Sequence, residues 1–149
     1  MDFTLRRAEP ADLVALLPLI EAYQAFYEVT PVESALNQAF FSRFLGSDDV
    51  GWIYVADSKD GPLGFACFYR HKSSLTATDT VLMNDLFVVE TARGSGVGRA
   101  LINQGLDLAR ESGASCLEWS TAPDNATAQR LYDSFPVRKS TWLTYELPV

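Results

Sequence analysis

Asp85-Leu86-Phe87-Val88-Val89-Glu90-Thr91-Ala92-Arg93-Gly94-Ser95-Gly96-Val97-Gly98-Arg99 is the stretch from which the rest of the chain is read. An apolar strand-like run, Val81 to Val89, ends here. Three glycines alternate, and a helix begins whose apolar positions Val97, Ala100, Leu101, Leu108 and Ala109 follow the 3.6-residue period. A backbone without Cβ atoms lets an anion approach closely. The first N–H groups of a helix lack internal partners and carry the positive end of its dipole. A strand, a glycine turn and a helix start in that order make a pyrophosphate site, and Arg93 and Arg99 flank it. Two phosphate motifs do not fit: GxGxxG needs glycine at 99, where Arg99 stands, and GxxxxGK finds Arg99-Ala100 in place of Gly-Lys. A turn that only joins strand to helix is the plain alternative. It leaves the three glycines, the two arginines and the helix start as coincidence.

Working outward, Phe3 to Arg7 alternates as a strand. Pro10-Ala11-Asp12 opens a helix to about Tyr27, with Leu13, Leu16, Leu17, Ile20 and Tyr23 on one face. A second helix spans about Val32 to Leu45. Trp52 to Ala56 and Leu63 to His71 flank the turn signal Asp60-Gly61-Pro62 and read as a hairpin. Lys72 to Thr80 reads as an exposed loop and Cys116 to Ser120 as a strand. Pro123-Asp124-Asn125 opens a last helix, and Val137 to Leu147 reads as one or two terminal strands. The order β-α-α-β-β-β-α-β-α-β predicts an α/β (α+β) fold with a mixed central sheet of six to seven strands and about four helices on both faces. Trp52, Trp119 and Trp142 read as core.

At 149 residues, 48% hydrophobic and 21% charged, the chain predicts one domain, 1–149, with a core of its own. The net charge of −7 disfavours nucleic acid as a partner. Eight acids and three bases stand in residues 1–50, a field that attracts cations. No run approaches a membrane span and no targeting pattern is visible, so the expectation is cytoplasmic, with no membrane partner. Cys67 and Cys116 support neither a disulfide framework nor a metal site.

Arg93-Gly94-Ser95-Gly96-Val97-Gly98 resembles the [Q/R]-x-x-G-x-[G/A] motif of the GNAT N-acetyltransferase superfamily. Asn125 to Tyr132, NATAQRLY, resembles its N-x-x-A-x-x-[L/F]-Y segment. The two lie about thirty residues apart in the right order, and the likeness extends over nearly the whole chain. The resemblance implies acetyl-coenzyme A as donor, with no metal. Backbone at Leu86, Phe87 and Val88 would hold the pantetheine arm, and an amide at Phe87 or Val88 would polarise the thioester carbonyl. Gly94, Ser95, Gly96, Val97, Gly98 and Arg99, with Arg93, would hold the pyrophosphate. Asn125 would reach the thioester end. Tyr132 would protonate the leaving thiolate. A phenol of pKa about 10 stays protonated at neutral pH and suits that task.

The acceptor side is less defined. Relatives often carry Glu on the strand at the position of Asn84, and Asn84 cannot be a base. Strict strand alternation turns Asp85 to the opposite face from Asn84. Glu21, Glu28 and Glu33 are the remaining carboxylates on the helices that line the cleft in relatives; each also reads as a solvated helix charge. Tyr23, Tyr27, Glu28 and Asn84 are the candidate acceptor-binding residues. His71, the one histidine, reads as a surface residue. The expected reaction is acetyl transfer to a primary amine on a small cationic, diamine-like molecule. The alternatives are a protein amine, lysine or N-terminal, and a non-catalytic acetyl-coenzyme A sensor. Edge strands near the C-terminus would let two subunits pair as a homodimer.

Overall fold

The computed structural model describes residues 2–149. Its sheet has five strands, β1 Thr4–Arg7, β2 Gly51–Ser58, β3 Gly61–Ser73, β4 Thr78–Val88 and β5 Leu117–Glu118, in the order β1-β2-β3-β4-β5. The first three pairings are antiparallel and β4–β5 is parallel. The helices are α1 Leu13–Phe26, α2 Ser34–Phe41, α3 Val97–Glu111 and α4 Ala126–Tyr132, with 3-10 turns at Pro10–Asp12, Ser42–Phe44 and Glu90–Ala92.

Alternation along the strands feeds two cores. Trp52, Ala56, Ala66, Phe68, Val81 and Met83 meet Val97, Leu101, Ile102, Leu108 and Ala109 of α3 on one face. Ile53, Val55, Phe65 and Cys67 meet Leu16, Leu19 and Ile20 of α1 and Phe41 and Phe44 on the other. Gly105 lets α3 lie close on the sheet, since a Cβ there would stand 2.4 Å from the Phe68 ring. Arg6 grips Asp12 through two bonds of 2.7 and 2.8 Å and fixes the start of α1 to β1.

Two irregularities position the site. First, β4 and β5 pair only at Val81↔Leu117 and Leu82↔Glu118, so β4 from Met83 to Val88 has β3 on one side and no strand on the other. Second, Cys67 faces Asp85 and Phe68 faces Met83, which leaves Asn84 unpaired as a bulge. A bulge inserts one residue and shifts the alternation beyond it.

Several sequence expectations change. The sheet has five strands, not six or seven. Residues 72–80 are mostly hairpin rather than loop, because β3 runs to Ser73 and β4 starts at Thr78. Val137 to Leu147 forms no strand. Its side chains alternate suitably, but beyond Val137 no backbone hydrogen bond forms among the described residues, and a strand needs a partner ladder. Trp142 is accordingly 85% exposed rather than core. Cys116 is exposed and Cys67 buried. His71 lies at the surface as expected, with Nδ1 2.7 Å from Glu118 Oε1, a contact that ties short β5 to β3.

Candidate active site

The residues expected on the donor side and on the acceptor side lie on either side of β4. On the donor side, Gly94 (φ +79°) and Gly96 (φ +93°) adopt left-handed backbone, which L side chains rarely do. Gly96 is the N-cap of α3. A Cβ added at either glycine would meet nothing within 4 Å, so both face open space. Among the described residues, the N–H groups of Gly94, Gly96, Val97, Gly98 and Arg99 have no backbone acceptor. This is a cradle of free donors at a helix start, and it fits a pyrophosphate.

The arginines are partly engaged. Arg93 Nε donates to Val88 O at 3.3 Å. Arg99 donates to Ser134 Oγ and lies over the Phe135 ring, 4.7 Å from its centroid. The amides, more than the guanidinium groups, therefore shape the turn.

At the open edge of β4, Val89 N donates to Leu63 O on β3. Strand residues alternate their backbone groups from side to side. Phe87 therefore also bonds toward β3, while Leu86 and Val88 present their amides to the gap beside β5. Of the two amides expected to polarise a carbonyl, Val88 is the available one.

Tyr132 ends α4 at the same gap. Its ring meets Trp119 edge-on at 5.5 Å, and Leu131 beside it lies where a Cβ on Gly98 would be 3.0 Å away. Burial pushes the Tyr132 phenol up to about 12, with the Tyr27 hydroxyl adding to the shift. Asn125 Oδ1 accepts from Ala128 N at 3.2 Å and caps α4. Its side chain thus builds the helix that carries Tyr132.

The acceptor side is a cleft of about 690 Å³ between α1, α2, the Ser42–Phe44 turn and β4, lined by Tyr23, Gln24, Leu36, Asn37, Ala39, Phe40, Phe41, Arg43, Tyr69, Asn84 and Asp85. The Asn84 bulge corrects the alternation argument, because Asn84 and Asp85 both line this cleft. Asp85 is 6% exposed. Asn84 Nδ2 donates to Asp85 Oδ1 at 3.2 Å, and Tyr23, Asn84 and Cys67 each favour the ionised carboxylate. Burial outweighs these bonds and lifts the Asp85 carboxyl above the ordinary range. Burial, then Asp85, pushes the Tyr23 hydroxyl far up as well.

Of the four candidate acceptor residues, Tyr23 and Asn84 line the cleft. Tyr27 stands behind, edge-on to Tyr23 at 5.2 Å. Glu28 does not line it; it sits exposed in left-handed backbone after α1. Glu21 and Glu33 are outside as well, with Glu21 bonded to Ser34 Oγ. Sequence reasoning missed Asp85 as a cleft residue, and it missed Arg43 and Tyr69 altogether. No local pattern in the sequence marks a bulge.

Comparison with known proteins agrees with this fold. Residues 16–135 match the model of the acetyltransferase (GNAT) family. The uncharacterized N-acetyltransferase YhfO of Bacillus subtilis is 32% identical over 130 residues, 87% of this chain and 85% of its own length. A D-amino-acid N-acetyltransferase of Saccharomyces cerevisiae is 37% identical over 131 residues, 86% of this chain and 80% of its own. The crystal structure of a probable acetyltransferase superposes with a TM-score of 0.84 at 30% identity, covering 98% of this chain and 97% of the other. No helix among the described residues is long and apolar enough to cross a membrane.

Proposed function

The chain belongs to the acetyltransferase (GNAT) family, and on that premise we propose that it moves an acetyl group from acetyl-coenzyme A to the primary amine of a small molecule bound as an ammonium ion. One observation carries this reading. The free amides of the glycine turn, the Tyr132 hydroxyl and a buried carboxylate converge on β4 from its two sides. The 37%-identical relative acts on D-amino acids by its name, which supports a small acceptor over a protein amine.

Acetyl-coenzyme A, when bound, supplies an acyl carbon already activated as a thioester. The free amides of Gly94, Gly96, Val97, Gly98 and Arg99 would hold its pyrophosphate, and those of Leu86 and Val88 the arm and the carbonyl oxygen. An amide aimed at developing negative charge in a dry site is typically worth several kcal/mol. Asp85 takes the proton that the ammonium must lose, and a proton affinity raised above the ordinary carboxylate suits it to that task. The freed lone pair forms the new C–N bond as the C–S bond breaks. Tyr132 gives its proton to the departing sulfur and recovers one from the acylated nitrogen. A phenol at about 12 is fully protonated for that step. Two protons leave the ammonium, one through Asp85 to solvent and one through Tyr132 to coenzyme A, so the step balances.

A melting-temperature titration with acetyl-coenzyme A, against ATP and NAD, tests the donor. At 100 times the dissociation constant the gain is about 2.7 kcal/mol. Thiol release across a panel of small amines and a lysine peptide then tests the acceptor. A shift with acetyl-coenzyme A but no thiol release would support a sensor instead. Release with the peptide alone would support a protein amine.

A further inference from the structure

We propose that the acceptor cleft is built for an amino acid, with the ammonium group held at Asp85 and the carboxylate held at Arg43. This rests on the acetyl-transfer reading and names the acceptor class for the same site.

The charges of the cleft carry it. Asp85 and Arg43 are the two charged residues of its lining. Asp85 is the closed end, buried and hydrogen-bonded by Asn84. Arg43 stands on the Ser42–Phe44 turn, exposed, with its guanidinium carbon 5.6 Å from the Phe40 ring centroid. The ion pairs among the described residues engage Arg6, Arg7, Lys59, His71, Lys72, Arg110 and Lys139, and Arg43 is in none of them. Tyr69 lines the same cleft; burial raises its hydroxyl's proton affinity, with Asp85 adding to the rise and Arg43 opposing it.

The other polar walls do not compete. Gln24 and Asn37 bond reciprocally at 2.7 and 2.9 Å and close on each other. Leu36, Phe40, Phe41 and Tyr69 leave the remainder apolar and aromatic. A planar guanidinium matches a carboxylate through two parallel hydrogen bonds.

A diamine or polyamine fits worse. Each ammonium wants its own carboxylate. The cleft offers one, and it sets a guanidinium where a second ammonium would lie. The acidic residues of the N-terminal third do not repair this, because none of them lines the cleft.

The test uses the full chain and measures thiol release. Acceptors are both enantiomers of apolar and aromatic amino acids, each beside its carboxamide and its decarboxylated amine, with spermidine and 1,4-diaminobutane. The expected result is a kcat/KM at least about tenfold higher with the carboxylate present, the scale of one hydrogen-bonded ion pair. Arg43→Ala should raise the amino-acid KM by about 10- to 100-fold and leave the carboxylate-free amines unchanged. Arg43→Gln, which keeps the stem over Phe40, should show the same selectivity if loss of packing clouds the alanine variant. Acetyl-coenzyme A should raise the melting temperature of both variants as in the parent chain. Equal losses across all acceptors, or a preference for the decarboxylated amines or diamines, would overturn this inference alone. No turnover on the whole panel would overturn it together with the acetyl-transfer reading.

Discussion

Gly96→Ala and Gly113→Ala form a matched pair that separates backbone strain from coenzyme binding. Both glycines flank α3, Gly96 at its N-terminus and Gly113 past its C-terminus. Both have left-handed backbone, φ +93° and +71°, and a Cβ on either would meet nothing within 4 Å. The conformational cost of a side chain there is about 1–2 kcal/mol, offset by about 0.4–1 kcal/mol from restricting the unfolded chain. Each variant should therefore lose about 1 kcal/mol, or about 2–4 °C of melting temperature for a domain near this size.

With acetyl-coenzyme A the two should part. The Gly96 methyl group enters the space where phosphate oxygens reach the free amides of α3. Losing one hydrogen bond to a charged group costs about 1.5–3 kcal/mol, or about 10- to 150-fold in affinity. At a ligand concentration 100 times the parent dissociation constant, a hundredfold loss cuts the stabilisation from about 2.7 to about 0.4 kcal/mol. Differential scanning fluorimetry with and without ligand reads both quantities on each variant. An equal ligand-induced shift in Gly96→Ala and Gly113→Ala would refute the assignment of the pyrophosphate to this turn.

Further outcomes follow from the same geometry. Tyr132→Phe should lower kcat about 10²- to 10⁴-fold, the usual worth of a positioned acid, with the KM for acetyl-coenzyme A unchanged; steady-state thiol release decides it. In the parent chain the phenol at about 12 predicts no loss of rate from Tyr132 up to pH 10. Burial raises the Asp85 carboxyl, so the folded state binds that proton more tightly than the unfolded chain does. Stability from this group is present at low pH and lost as pH rises from the ordinary carboxylate range through the raised value. Asp85→Asn should therefore gain stability relative to the parent as pH rises, while losing activity, and melting curves from pH 4 to pH 8 would show the opposite trend if the carboxylate were stabilising. Deleting residues 138–149 should change the melting temperature by no more than a degree or two, since this segment adds only an exposed Lys139–Asp133 pair to the body. A larger loss that grows with protein concentration would mean that Trp142, Leu143, Tyr145 and Leu147 pack on another molecule.

The donor half was legible because it is made of backbone. A turn that exposes amides demands glycine at fixed spacing, and that demand is written locally at 94, 96 and 98. The helix that carries Tyr132 was legible through the segment Asn125 to Tyr132, and Asn125 caps it. The terminal strands were not legible as unpaired. Alternation at Leu143, Tyr145 and Leu147 describes a segment fit to be a strand, while pairing is a property of the partner. The acceptor half failed at one residue. Period-2 reasoning places Asn84 and Asp85 on opposite faces, and it holds up to Met83. The unpaired Asn84 then shifts the phase, so that Asp85 turns to α1 and Leu86 and Val88 turn to α3.

That shift also explains how one strand serves two substrates. Beyond the bulge, β4 offers backbone amides to the gap beside β5 and a carboxylate to the cleft under α1 and α2. Asn84 withholds a carboxylate at its own position, and the bulge supplies one from the next residue. The two supplies are chemically independent. On the proposed reading, donor recognition uses groups that every residue has and is constrained only by where glycine must stand. Acceptor recognition, as proposed, uses side chains at 23, 43, 69 and 85, which line one cleft from four separate elements. A change at Arg43 or Asn84 can therefore alter which amine enters without disturbing a single donor amide. For the same reason the glycine turn announces the donor at a glance, while the acceptor emerges only once those four elements are set side by side.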